Sequence, residues 1–457
     1  MEKFHQTIGF KFILVIALGL AISFLGYRLR EKHFSAFPTI NDTGDEYKYA
    51  FNGISLIKNG VPESWSWWDN YGEFPVVRLG NMDFRMVKPY FDEPPLFSLL
   101  MGSYAMSEGM DSYEKVDPGA LRWPMLKLGT VNVFLLFLLV YFCAGLSEAV
   151  LASLLYATIP TMVLSSRLPL AENFMVTLSL AALLLLLLFV KTNSKLVLVL
   201  MSLTAVSGIL VKQTALYIPV AIIFLLLAKK KLKPALVVFG FIVLAYLAWF
   251  AYGAYYNWDL FITLQQVFSG REIKMPTMII NLFDTFRITE KTMSADGIMI
   301  WGVVSLILYS FVKDTKSKFT NLFLPVLTGS YLVLFSIMSA HIKGWYRIPF
   351  HPFFAWAIAA VFIEIVKKPK FLYTFFFLAV AFFASMVAGT GEQSWSQVQV
   401  KLYQVIFPLT LAPVLFYEIA NHKCFKYISQ VLLILSFALL IRFNIKAIFF
   451  FQDQFWY

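Results

Sequence analysis

Two acidic pairs, Asp45-Glu46 and Asp92-Glu93, bracket one polar stretch in a 457-residue chain that is 59% hydrophobic and only 14% charged. Taking a carboxylate out of water is costly unless something pairs with it or uses it, so acids beside long apolar segments are the first candidates for function. A carboxylate so placed can remove a proton from an acceptor hydroxyl or amine in a transition state. Fixed cations beside it can bind a phosphate or phosphodiester and stabilise it as a leaving group. The chain supplies such cations at Arg122, Arg167, Lys343 and Arg347, with Glu172, His341 and Tyr346 close to them in sequence.

The elements that must carry these residues are membrane helices. A mean hydropathy of +0.70 with 18% aromatic residues excludes a soluble globule. Apolar runs recur at Phe12 to Gly26, Val131 to Ala144, Leu178 to Val190, Leu196 to Val211, Phe239 to Tyr252 and Val431 to Ile441. With flanking residues each reaches or approaches the roughly 20 residues that cross a bilayer core. None alternates like a barrel strand, so an all-α polytopic bundle is the expected fold. The first run has no small-residue cleavage site after it and reads as an uncleaved anchor whose helix ends near Gly26-Tyr27-Arg28. Cys143 and Cys424 lie far apart and define neither a disulfide framework nor a zinc cluster.

The net charge of +11 is a topology signal and does not call for nucleic acid. Lysines cluster in short loops, at Lys191 and Lys195, Lys229 to Lys233, Lys313 to Lys318, Lys367 to Lys370, and Lys423 and Lys426. Such loops stay cytoplasmic, which predicts about 13 crossings with the N-terminus inside. Residues 27–93 then form a long first external loop. The stretch Pro95 to Met106, too short to span, is expected as a juxtamembrane helix on the outer face, within 94–107. This topology brings both acidic pairs, Arg122, Arg167, Glu172, Lys212, His341, Lys343 and Arg347 to one outer rim. A lipid-phosphate sugar donor presents its phosphodiester at that depth. A transporter would instead place polar residues and broken helices near the midplane, often in internal repeats; no repeat is visible, and few ionisable residues lie mid-span, with Glu364 close to its basic loop.

These residues resemble a known family. Asp45-Glu46-Tyr47, a helix-like stretch ending at Lys58-Asn59-Gly60, and Tyr90-Phe91-Asp92-Glu93-Pro94-Pro95-Leu96 are similar to the first external loop of the GT-C glycosyltransferases. The branch resembled holds the protein O-mannosyltransferases and the bacterial aminoarabinose transferase of lipid A. Ser166-Arg167 followed by Glu172, and the segment HIKGWYRIPFHP over residues 341–352, are similar to later features of that family. The resemblance implies Asp45 as catalytic base or acceptor-orienting acid and Asp92 as the second acid before the Pro-Pro. Where the family usually has a basic residue, Glu93 stands, so Asp92, Glu93 or both line the site. The resemblance further implies that Arg122, Arg167, Lys343 and Arg347 contact the lipid phosphate, with Glu46, Glu172, His341 and Tyr346 also at the substrate.

Plainer readings stand beside these. Glu46 could pair with Lys48 or cap its helix, Glu172 could be a helix N-terminal charge, and Lys212 could simply end a helix. Trp65, Trp67 and Trp68 suit the headgroup region as well as they suit a sugar. His341 is a candidate metal ligand or phosphate donor; no metal-ligand spacing is recognisable, so a divalent ion stays open and none is assigned. The expected organisation is a catalytic module over 1–352 and further transmembrane helices over 353–457. The expected function is transfer of a sugar from a polyprenyl-phosphate donor to a glycan, lipid or protein acceptor at the outer face of the cytoplasmic membrane. A non-enzymatic flippase for lipid-linked saccharides is the alternative.

Overall fold

The computed structural model describes residues 2–36, 44–72, 74–79, 82–270, 298–313, 319–337, 344–387 and 397–454. His341 and Lys343 lie outside the described residues. Ten helices come first: α1 (Glu2–Glu31), α2 (Asp45–Asn59), α3 (Pro95–Ser107), α4 (Pro118–Ala144), α5 (Leu146–Thr158), α6 (Pro160–Ser165), α7 (Ala171–Thr192), α8 (Lys195–Val211), α9 (Tyr217–Ala228) and α10 (Leu232–Ser269). Six follow: α11 (Ile298–Val312), α12 (Phe323–Ile337), α13 (His351–Lys367), α14 (Phe371–Val387), α15 (Gln397–Ala420) and α16 (Lys423–Gln454). Among the described residues seven helical segments are long and apolar enough to cross a bilayer, and six shorter apolar helices of 10–17 residues accompany them. The first helix continues past Tyr27 to Glu31, so its expected end is corrected by one turn. Arg30, in that extra turn, is fully buried.

The span that begins at Trp345 and contains α13 is the most enclosed, with 89% of its apolar window buried. It packs chiefly on α5 and α11. One end of this core is braced by ions: Lys313 Nζ lies 2.5 Å from Glu148 and 3.2 Å from Glu364, which also meets Lys367 at 3.2 Å. Glu364 thus belongs to its basic loop, as its position in the sequence suggests. Arg122 on α4 and Arg347 just before α13 stand at the other ends of their helices.

The stretch from α2 to α3 carries the structure that shapes that other end. Helix α2 is buried on every face from Asp45 to Ser55 and closes on Gly60, whose φ of +67° supplies the left-handed cap. The amide of Gly60 donates to Leu56 O at 3.1 Å. Pro95 opens α3, where proline's missing N–H costs nothing. Helices α2 and α3 cross at Gly53 and Gly102 so tightly that a Cβ on Gly53 would lie 1.9 Å from Ser98 O. On the far flank of α3, Leu99 and Leu100 remain exposed.

A small antiparallel sheet lies between these helices, an addition to the otherwise all-α architecture. Its strands are β1 (Ser64–Trp65), β2 (Val76–Leu79) and β3 (Met82–Val87), in the order β1-β3-β2, with Ser64 opposite Val87 and Val76 opposite Arg85. Strands this short leave no readable alternation in sequence. Beyond the sheet Tyr71, Tyr90 and Phe91 pack with Trp249, Phe261 and Leu264 of α10. Helix α10 bends at Asn257, whose φ of −170° is extended, and the bend lets its outer part fold over the loop. Tyr256 OH donates to Gly60 O at 2.8 Å across this contact.

Candidate active site

The first turn of α2 sends its two acids to different partners. Glu46 receives Arg122 Nε and Nη2, each at 2.7 Å, with neither side chain exposed. Arg122 also donates from Nη1 to Phe34 O at 3.1 Å. This planar fork closes on a carboxylate inside the protein and joins α2 to α4. The structure thus engages Arg122 and Glu46 with each other.

Asp45 begins a string of alternating charges that runs through four parts of the chain. Lys48 Nζ, one helical turn on, lies 3.2 Å from Asp45 Oδ1 and 3.5 Å from Glu93 Oε1. Glu93 Oε1 is also 3.1 Å from Lys212 Nζ, which donates to Glu172 Oε1 at 2.7 Å. Lys212 sits in extended conformation at the break between α8 and the 3-10 turn Gln213–Leu216. Its ammonium stands 4.6 Å from the centre of the Tyr346 ring. All five ionic side chains are buried or nearly so. Burial alone would push the Glu93 carboxyl up, but Lys212 and then Lys48 outweigh it and hold Glu93 down at about 2. Burial likewise works against charge on Lys48, and Asp45 and Glu93 together more than reverse it.

Asp92 is the odd acid of the set. Its Oδ2 accepts from Ser66 Oγ at 2.7 Å and its Oδ1 from Tyr71 OH at 2.8 Å. Tyr71 OH in turn accepts from the amide of Phe91 at 2.8 Å, which fixes the phenol. Burial pushes Asp92 up to about 6, against the opposing pull of Lys48 and the two hydroxyls. The two neighbours Asp92 and Glu93 are therefore driven in opposite directions, Asp92 up by burial and Glu93 down by its two lysines.

Arg167 and Arg347 are both buried. Arg167 Nη2 donates to Leu29 O at 2.8 Å, and nearby Arg30 donates from Nε to Ser166 Oγ at 2.7 Å. Arg347 lies on the 3-10 segment Gly344–Phe350 next to Tyr346. Trp65 is buried against Phe84 with its indole N–H on Gly44 O at 2.8 Å, whereas Trp67 is exposed. The residues that reading the sequence undervalued are Lys48, Lys212, Ser66, Tyr71 and Arg30. The i,i+3 spacing of Lys48 from Asp45 was a signal available in the sequence. Ser66 and Tyr71 carry no such signal.

Among the described residues no three His, Cys, Asp or Glu side chains form a group able to hold a metal. The nearest acids are already engaged, Asp45 and Glu93 by the ammonium of Lys48, and Asp92 by two hydroxyls.

The helical bundle with this loop has a GT-C-like fold, and the chain resembles the GT-C membrane glycosyltransferases. Residues 93–252 match the family described as dolichyl-phosphate-mannose-protein mannosyltransferase. No curated protein matches the chain in sequence. Among solved structures, ArnT from Cupriavidus metallidurans bound to undecaprenyl phosphate is similar over 96% of this chain and 77% of its own, with 13% identity and a TM-score of 0.51. Its apo state is similar over 98% and 76%, with 12% identity and the same TM-score. The oligosaccharyltransferase AglB from Archaeoglobus fulgidus, in complex with an inhibitory peptide and a dolichol-phosphate, reaches a TM-score of 0.48 at 14% identity, over 93% of this chain and 56% of that one.

Proposed function

We propose that this chain is a membrane glycosyltransferase that moves one sugar from a polyprenyl-phosphate carrier to a glycan, lipid or protein acceptor at the outer face of the cytoplasmic membrane. The observation that carries this reading is the buried string Asp45, Lys48, Glu93, Lys212 and Glu172, which meets the segment of Tyr346 and Arg347 at Lys212. The fold neighbour bound to undecaprenyl phosphate supports a lipid phosphate as the carrier. In this reading the shorter apolar helices cross the membrane too, giving about 13 crossings by the positive-inside rule. The catalytic module is residues 1–352, completed by the helices of 353–457.

Asp45 takes the proton from the acceptor as its oxygen or nitrogen attacks the anomeric carbon. The bond from that carbon to the phosphate oxygen breaks in the same displacement, and the lipid phosphate leaves with the electron pair. One base acting once inverts the anomeric centre. Asp92, whose carboxyl burial raises to about 6, is the second acid and orients the sugar or acceptor through hydrogen bonds. Arg167, Lys343, Arg347 and His341 are the candidates for the phosphate, with Lys212 at their edge; Glu93 and Glu172 keep Lys212 in place. Asp45→Asn is nearly isosteric but accepts no proton, so transfer should fall by about two to four orders of magnitude while the protein still folds. Near-wild-type turnover by purified Asp45→Asn protein would remove Asp45 from the reaction.

A further inference from the structure

Helix α2 and the segment before α3 bring Asp45 and Glu93 within reach of one point, and a divalent ion bridging these two carboxylates would need that place. Lys48 Nζ occupies that place, 3.2 Å from one and 3.5 Å from the other. These are ammonium-to-carboxylate distances, whereas a bridging divalent ion needs oxygens at about 2.0–2.6 Å. A second ammonium, that of Lys212, stands 3.1 Å from the same Glu93 oxygen, so an added dication would face two fixed positive charges. The side chain of Lys48 is itself buried, and its ring neighbour Tyr49 lies 5.3 Å from the ammonium. Helical geometry keeps it there, because Asp45 and Lys48 are one turn apart on the same face of α2.

We propose that Lys48 is the built-in cation of this site, an ammonium that bridges Asp45 and Glu93 in the position a divalent metal would otherwise fill. Lys48 is thus a positioning residue: it aims and charge-balances the proposed base from one side and ties Glu93, through Lys212, to the segment of Tyr346 on the other. The site then works with lysines in the role of metal ions. This inference rests on the reading of the site as a transferase centre, but its binding test does not.

The test is a manganese titration of the full-length protein in detergent, followed by electron paramagnetic resonance. The expected result is that wild type leaves Mn²⁺ free up to about 1 mM, the weak end of protein carboxylate sites. One equivalent bound by wild type and lost in Asp45→Asn or Glu93→Gln would overturn the proposal. Transfer assays add a second measurement. Wild type treated with a chelator should keep its rate, and Lys48→Met should lose roughly 100-fold, the scale of removing one fixed charge from an active site. Lys48→Arg, which keeps the cation, should recover part of that loss. Full activity of Lys48→Met, or activity of wild type that disappears with chelator and returns with metal, would refute the role. Absence of transfer from every polyprenyl-phosphate sugar would refute the functional reading, and the titration would still decide the role of Lys48.

Discussion

Arg122 and Glu46 are joined by two parallel hydrogen bonds of 2.7 Å with no exposed atom on either side chain. A fork of this kind is weak evidence for net stability, since both charges were taken from water, but breaking one half is severe. Glu46→Gln leaves the guanidinium buried without its countercharge and should destabilise the fold by about 3–5 kcal/mol. Replacing the two together, Glu46→Leu with Arg122→Met, should recover much of that loss. Thermal unfolding in detergent measures both, and equal stability of Glu46→Gln and wild type would show that the pair is not closed in solution.

A second expectation concerns the crossing of α2 and α3. A Cβ at Gly53 meets Ser98 O at 1.9 Å, and one at Gly102 meets the carbonyl carbon of Gly53 at 2.3 Å. Backbone cannot step aside as a flexible side chain can, so Gly53→Ala should cost at least the ~1–3 kcal/mol typical of overpacking. Because α2 carries Asp45 and Lys48, activity should fall with it. An unchanged melting temperature would mean the helices stand further apart than 53 and 102 indicate.

The divergent acids define a pH profile. Asp92 is raised from 3.8 to about 6, so the folded chain holds its proton more tightly than the unfolded one; the stability this contributes is present below its ordinary value and is lost as pH rises through about 6. Glu93, lowered from 4.5 to about 2, contributes with the opposite sign, above its ordinary value, and that contribution is lost as pH falls towards 2. With Asp92 acting as a carboxylate, kcat/KM should decline below about pH 6, by up to about tenfold per pH unit. Tyr71→Phe removes a hydroxyl that stabilises the carboxylate and should move this limb to higher pH. A profile flat down to pH 5 would exclude Asp92 from the ionised machinery.

Topology supplies a further check. Reporter tags at Lys230 and Lys368 should lie in the cytoplasm, and tags at Asn59 and Gly270 outside, because lysine-rich short loops resist translocation. An external signal at Lys230 would separate the acidic loop from the face assigned to it.

What the sequence determined by itself was the solvent and the periodicity. Long apolar runs require helices in a bilayer whatever their neighbours are, so α1, α4, α7, α8, α10 and α16 were legible from composition and length. The two acidic pairs were legible too, since charge amid so much apolar sequence is conspicuous, and so was α3, which Pro94-Pro95 introduces. Partner choice was decided only by tertiary structure. Nothing local distinguishes Glu46, which closes on Arg122 from 76 residues away, from Asp45, which stays with Lys48 and faces Glu93. The close approach of Gly53 to Gly102 swings α3 against α2, and the bend at Asn257 folds α10 over Tyr71 and Phe91. Lys212, an ordinary helix end in sequence, becomes the joint between Glu93, Glu172 and Tyr346 because the break between α8 and α9 falls beside the loop. Hydropathy is a property of each segment alone, whereas the pairing of buried charges depends on which segments meet, and that is set by packing over the whole bundle.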